Sequence, residues 1–177
     1  IDGESIEKPA QDITFRGLTF RFTTWLRPGT DLGLPDAQNN VMRENFHAVG
    51  QAVGDFESIG DGAALRGRYA RAITIERCRF LNLGGMGIAF GAGASGLRIT
   101  GNTFHDIAAT GIQIGDYLRW EDPKSENYVM PADKRLLLAD NQITNNFLDR
   151  CAVEFRSAVP IAISFPRDTV ISHNEVY

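Results

Sequence analysis

The chain has 177 residues, 43% hydrophobic and 23% charged, with a formal net charge of −4. That is long enough for a sizeable core and ordinary for a globular protein. The acidic balance argues against a nucleic-acid partner, whose footprint is basic, and no apolar run approaches the roughly 18 residues of a membrane span.

Taken in chain order, the elements repeat. The opening "IDGESIEKPA" has neither the basic start nor the apolar stretch of a leader peptide. A first copy carries Ile13, Phe15, Leu18 and Phe20, and an insertion at about 24–62 follows, anchored by Trp25. The second copy carries Ile73, Ile75, Cys78 and Phe80, then a strand with Ile88 and Phe90 beyond the corner Gly84-Gly85. The turn "GAGASG" (91–96) leads to another strand and to no helix, so it is not a phosphate loop. The third copy carries Leu97, Ile99, Asn102 and Phe104, then Ile112 and Ile114 beyond Gly111, and a second insertion at about 116–135. The fourth copy is aligned on Leu136, Leu138, Asn141 and Ile143, with Val153 and Phe155 as its second strand. The fifth has Thr169, Ile171, Asn174 and Val176. Taken from Phe15, Ile75, Ile99, Leu138 and Ile171, the spacings are 60, 24, 39 and 33.

Apolar residues alternate at period two within each copy, which predicts strands. Too few residues separate the two strands of a copy for the crossover helix of an ordinary parallel sheet. The expected architecture is therefore an all-β solenoid, with each turn laid in parallel on the last about 4.8 Å away. Asn102, Asn141 and Asn174 are expected to stack at one corner as an amide ladder, because asparagine tolerates unusual backbone angles and can bond its neighbour turn. Cys78 falls in the same column. With Cys151 it makes neither a disulfide framework nor a metal-ligand spacing, so both read as buried thiols. The whole of 1–177 reads as one β-helix domain. It starts without a recognisable cap and stops on a core position in "VISHNEVY", as a piece of a longer solenoid is expected to do.

The runs "ITFRGLTFRFTTWLRP", "ITIERCRFLNLGGMGIAF", "ITGNTFHDIAATGIQIGD" and "ISHNEVY" together resemble the right-handed parallel β-helix proteins of the pectate-lyase-like superfamily. Within that superfamily they are most similar to bacterial β-helical glycoside hydrolases of the α-L-fucosidase and xylanase group. The resemblance implies a polysaccharide or oligosaccharide substrate, an extracellular or periplasmic location and no cofactor.

Alternation places Gln113 outward if Ile112 and Ile114 face the core, and likewise Ala89 and Glu154, with Ala64 and Ala162 extending the column. Such a strip suits the floor of a groove for an extended glycan. Asp116 breaks the repeat just after Gly115, and the insertion behind it brings Tyr117, Trp120 and Tyr128, whose rings suit a sugar face. Glycoside hydrolysis needs two carboxyl groups. Asp116 and Glu154 are the pair these positions offer, at roughly 6–11 Å by strand spacing. Gln113, Arg66, Tyr117, Trp120 and His173 are the candidate substrate-binding residues. Each has a structural alternative: a turn cap for Asp116, a solvated strand residue for Glu154, loop packing for Trp120, a hydrogen bond beside Asn174 for His173. His47 and His105 read as structural, and Asp106 as a cap on backbone amides. Two other functions stay open. A polysaccharide lyase would use Arg66 or Arg119 as base and commonly a calcium site, of which no compact aspartate cluster is visible. A non-catalytic glycan-binding or adhesin solenoid would use the carboxylates only to hold hydroxyls.

Overall fold

The computed structural model describes residues 1–24, 36–37, 40–42, 56–57, 62–115, 133–155 and 157–177. Its strands wind into stacked coils with four faces. The first sheet joins Thr14–Arg16, Thr74–Glu76, Arg98–Thr100, Gln142–Thr144 and Val170–Ser172. The second joins Thr19–Arg21, Arg79–Leu83, Thr103–Ile107, Phe147–Cys151 and Glu175–Val176. The third joins Leu65–Gly67, Ile88–Phe90, Ile112–Ile114 and Ile161–Ile163. A narrow fourth sheet pairs Ala10–Gln11 with Ala70–Arg71 and Leu138–Ala139 with Pro166–Arg167. Single bridges from Ser95 to Arg71 and Ala139 connect its halves. Every pairing between coils is parallel. A separate antiparallel group, Asp36–Ala37, Asn40–Met42 and Phe56–Glu57, lies within the first insertion.

Inward side chains stack like on like, because parallel in-register strands put the same position of each coil above its counterpart. Ile75, Ile99 and Ile143 form one fully buried column. Phe20, Phe80 and Phe104 form another, with ring centroids 4.8 and 4.7 Å apart and planes within 7° and 4° of parallel. Those distances are the strand spacing itself, so the sheet imposes face-to-face stacking where free rings would slide or tilt. In the third sheet Gly67 shares its inward column with Phe90: a Cβ there would lie 2.5 Å from the Phe90 ring.

Two of the four corners never change length. Two residues separate the fourth-sheet strand from the first-sheet strand, and two separate the first from the second, in every coil. In each pair the leading residue has positive φ: Asp12, Ala72, Gly96, Asp140 and Asp168 at one corner, Gly17, Arg77, Gly101, Asn145 and His173 at the other. Glycine, asparagine and aspartate hold this left-handed conformation most cheaply, which explains most of these identities. A third column, Phe22, Asn82, Asp106 and Arg150, does the same inside the second sheet. It resets the alternation, so that Leu83 and Ile107 turn back into the core.

The residue after the left-handed one points inward. At the corner between first and second sheets these are Leu18, Cys78, Asn102, Asn146 and Asn174, and here the expected ladder is found with one member exchanged. Asn102 Oδ1 accepts the Cys78 N–H at 2.9 Å, and its Nδ2 donates to the Ile75 carbonyl and to Asn146 Oδ1. Asn146 Oδ1 also accepts the Asn102 N–H, and Asn146 Nδ2 donates to the Ile99 carbonyl and to Asn174 Oδ1. Asn174 repeats the pattern on Ile143. Asn141 stands at the other fixed corner, in the column of Ile73 and Leu97, where its Oδ1 accepts the Leu97 N–H. The fourth copy is thus aligned on Ile143, not Leu138, and the coil lengths are 60, 24, 44 and 28 residues, from Phe15 to Ile75, Ile99, Ile143 and Ile171.

Candidate functional site

The two corners that flank the third sheet take up all the variation in coil length. Entering this sheet, the chain uses four residues in the second and third coils, but the long 22–64 segment in the first and 152–160 in the fourth. Leaving it, the third coil carries the 115–137 segment where the first and fourth use two residues. The insertions thus fall in the chain at the two flanks of the third sheet, its entering and leaving rims. The short passages are held short by glycine: a Cβ on Gly85 would lie 2.3 Å from the Gly62 carbonyl oxygen, and one on Gly111 would lie 2.8 Å from that of Pro160.

The outward column of this sheet is Arg66, Ala89, Gln113 and Ala162. Ala89, Gln113 and Ala162 stand where the sequence places them. Ala64 does not, since Arg66 is the partner of Ala89. Glu154 also leaves the column, because the fourth coil supplies Ile161–Ile163 to the third sheet. Val153 and Phe155 imitate a strand by alternating, but Val153 is 45% exposed and Phe155 packs outside the helix against Met86, Ala89, Ala108 and Ala109. Glu154 is exposed on the entering rim, where its N–H and that of Phe155 both donate to the Ala108 carbonyl at 3.0 Å. Gln113 is not the solvent-facing residue expected: only 1% of it is accessible, and its side-chain amide Nε2 donates to the Gly115 carbonyl at 3.3 Å. The outer surface of the third sheet is covered, as the apolar cluster over Ala89 shows.

Arg66 is exposed at the head of the column, beside Asp2 at 3.9 Å. It stands two coil steps from Gln113, about 10 Å, with the small Ala89 between. At the leaving rim, Gly115 has φ +114 and a Cβ there would lie 2.4 Å from the Ser164 carbonyl oxygen. Only glycine fits, so the turn that releases the chain toward Asp116 is fixed. Asp116, Tyr117, Trp120, Arg119 and Tyr128 lie outside the described residues. The chain returns through a short 3-10 turn, Lys134–Leu136, capped by Asp133, which accepts the Arg135 N–H. The Arg135 guanidinium beside Asp133 holds that carboxyl at about 2 and also reaches Glu7 at 3.0 Å.

His173 is not part of this face. It fills the left-handed position beside Asn174 at the corner between first and second sheets, so the structure brings Arg66 and Gln113 onto one column, Glu154 onto its rim, and leaves His173 elsewhere. Asp106 differs from expectation too. It accepts from the Asn82 amide at 2.9 Å and pairs with Arg150 at 3.3 Å, and these contacts, the Asn82 bond first, lower its pKa. Sequence reasoning passed over the His105–Asp149 pair, 2.7 Å apart on the outer second sheet, because 44 residues separate the partners and only the register of the fourth coil joins them. Among the described residues no group of three or more His, Cys, Asp or Glu side chains could hold a metal ion.

A solved structure named "Glycoside hydrolase" is similar to this chain, with 27% sequence identity and a TM-score of 0.73 over 97% of this chain. The chain spans 30% of that chain's length. No curated protein matches. The stacked parallel sheets agree with the match of residues 8–177 to the model described as "Right handed beta helix region", and the chain belongs to that family.

Proposed function

We propose that this chain is part of a secreted carbohydrate-active protein that holds a glycan at the rims of its third sheet and hydrolyses the glycosidic bond with Asp116 and Glu154. The observation that carries the reading is the likeness to a structure named "Glycoside hydrolase" over nearly the whole chain, joined to a face that alone gathers the insertions. One carboxylic acid protonates the glycosidic oxygen as its bond to the anomeric carbon breaks, and the other carboxylate takes a proton from the attacking water.

The exchange of Glu154 from floor to rim sharpens the geometry of the proposal. Gly115, which precedes Asp116, and Glu154 stand on opposite rims. The corner 108–111 and the three-residue strand Ile112–Ile114 lie between them, with one coil step at right angles. Arg66 serves as a hydrogen-bonding group at the exposed head of the column, and Tyr117 and Trp120 as sugar platforms.

A second reading, a glycan binder without turnover, is favoured by one observation: the column Arg66, Ala89, Gln113 and Ala162 carries no carboxylate. The two readings separate on a panel of soluble plant and microbial polysaccharides. The hydrolase releases reducing ends, and Asp116→Asn and Glu154→Gln each lose at least about 100-fold in rate with unchanged circular dichroism. Binding without reducing ends establishes the binder. Calcium-dependent rise of ultraviolet absorbance from an unsaturated product would make the protein a lyase. Wild-type rates in both variants remove these two residues as catalysts.

A further inference from the structure

The outer face of the second sheet carries chemistry that the third-sheet site does not use. Leu81, His105 and Asp149 follow one another in register, and Tyr177 continues the line, its N–H donating to the Leu148 carbonyl at 2.9 Å. His105 and Asp149 are hydrogen bonded at 2.7 Å while their side chains stay 45% and 30% exposed. On the adjacent column Phe147 stands above Glu175. The Phe147 and Tyr177 rings lie 5.7 Å apart at 47°, and Phe147 is 37% exposed. The Tyr177 hydroxyl donates to the Glu175 carboxylate, which fixes the direction of its ring.

Each of these features alone is ordinary surface. Together they make a strip with two oriented apolar rings at one end and a locked polar pair one coil above. A pyranose has the matching anatomy: a face of C–H groups that packs on an aromatic ring and a rim of hydroxyls that both donate and accept. Coplanar rings would suit a flat crystalline surface. Rings tilted by 47° suit a single twisted chain, which presents successive sugars at an angle. The face is removed from the third sheet by a corner of the coil, so its occupant does not compete for the rims there.

We propose that Phe147, Tyr177, His105 and Asp149 form a second carbohydrate site, which takes consecutive pyranose units of a soluble single glycan chain. The rings stack on the sugars, and the His105–Asp149 pair hydrogen-bonds hydroxyls of the unit above. The site rests on the proposed function only for the class of ligand, and it tethers polymer to the protein without cleaving it.

Native gels containing soluble xylan, pectic galactan or laminarin test this. At least one polymer retards the protein. Tyr177→Ala and Phe147→Ala weaken the apparent affinity about three- to tenfold, the range expected for losing one ring contact. Tyr177→Trp retains it, and Asp116→Asn retains it while losing reducing-end release. Melting temperatures of all variants are recorded, so that an unfolded variant is recognised and the Tyr177→Trp result still decides. Undiminished retardation of folded Tyr177→Ala, or loss of retardation in folded Tyr177→Trp or Asp116→Asn, overturns the second site and leaves the third-sheet reading standing. Neither retardation nor product from any of the three polymers overturns both.

Discussion

Replacing Asn146 with leucine isolates the ladder from the rest of the coil. The side chain is 1% exposed and serves four groups: it accepts from the N–H and the amide of Asn102, and donates to the Ile99 carbonyl and to Asn174 Oδ1. Two of these keep another partner, since the Asn102 amide still reaches Ile75 and Asn174 Oδ1 still accepts the residue 146 N–H. The Ile99 carbonyl likewise keeps the ladder N–H of Thr144. The Asn102 N–H alone loses its partner in a dry interior, at about 1–3 kcal/mol, and the other lost bonds add about 1 kcal/mol. Leucine returns about 1 kcal/mol through apolar burial. The net loss is about 2 kcal/mol, a sizeable share of the stability of a typical domain. Asn141→Leu is the control. It deprives only the Leu97 N–H, while it removes a buried Nδ2 that has no partner, and those two changes nearly cancel. Urea unfolding followed by circular dichroism, with equal m-values, should place Asn146→Leu about 2 kcal/mol below wild type and Asn141→Leu within about 1 kcal/mol. Amide exchange at Asn102 should accelerate only in the first. Equal losses in the two variants would refute the assignment of Asn146, and not Asn141, to the ladder.

Gly67→Ala should lower stability by about 1–3 kcal/mol through overpacking against the Phe90 ring; adding Phe90→Leu should recover part of the melting temperature, and no recovery would place the clash elsewhere. Burial, with a smaller push from Asp149, raises the Cys151 thiol to about 12, so native protein at pH 8 should react slowly with iodoacetamide and unfolded protein should label at both cysteines. Rapid native labelling at Cys151 would contradict its packing. Arg135 depresses Asp133, so the ionised pair contributes stability in full above the ordinary value of 3.8 and loses it as pH falls toward about 2. Asp133→Asn should therefore lower the melting temperature slightly at pH 7 and not at pH 2, and a difference independent of pH would show that the cap, not the charge, matters.

Alternating apolar residues and recurrent asparagines made the solenoid legible, because parallel stacking demands the same residue at the same height in each coil. The slip of five residues in the fourth copy came from a true ambiguity. Leu138, Asn141 and Ile143 satisfy the same spacing as Ile143, Asn146 and Leu148. What separates them is closure of the coil: Leu138 belongs to the fourth sheet, opposite Pro166, a face too short to announce itself in sequence. The displaced Glu154 follows from the same blindness. "VEF" and "IAI" both alternate, and only pairing with Ile112 selects the second. The left-handed columns were half visible. Gly17, Gly101 and Asn145 advertise positive φ, whereas Arg77, Ala72 and His173 adopt it because their neighbours in the column do.

The invariance of two corners divides the labour of the chain between ends of the same coil. Forty-four residues or twenty-four can pass between one buried isoleucine and the next without shifting either. A chain built this way can trade, lengthen or shed its side loops as interchangeable parts, and what it grips can drift while what holds it together stays put.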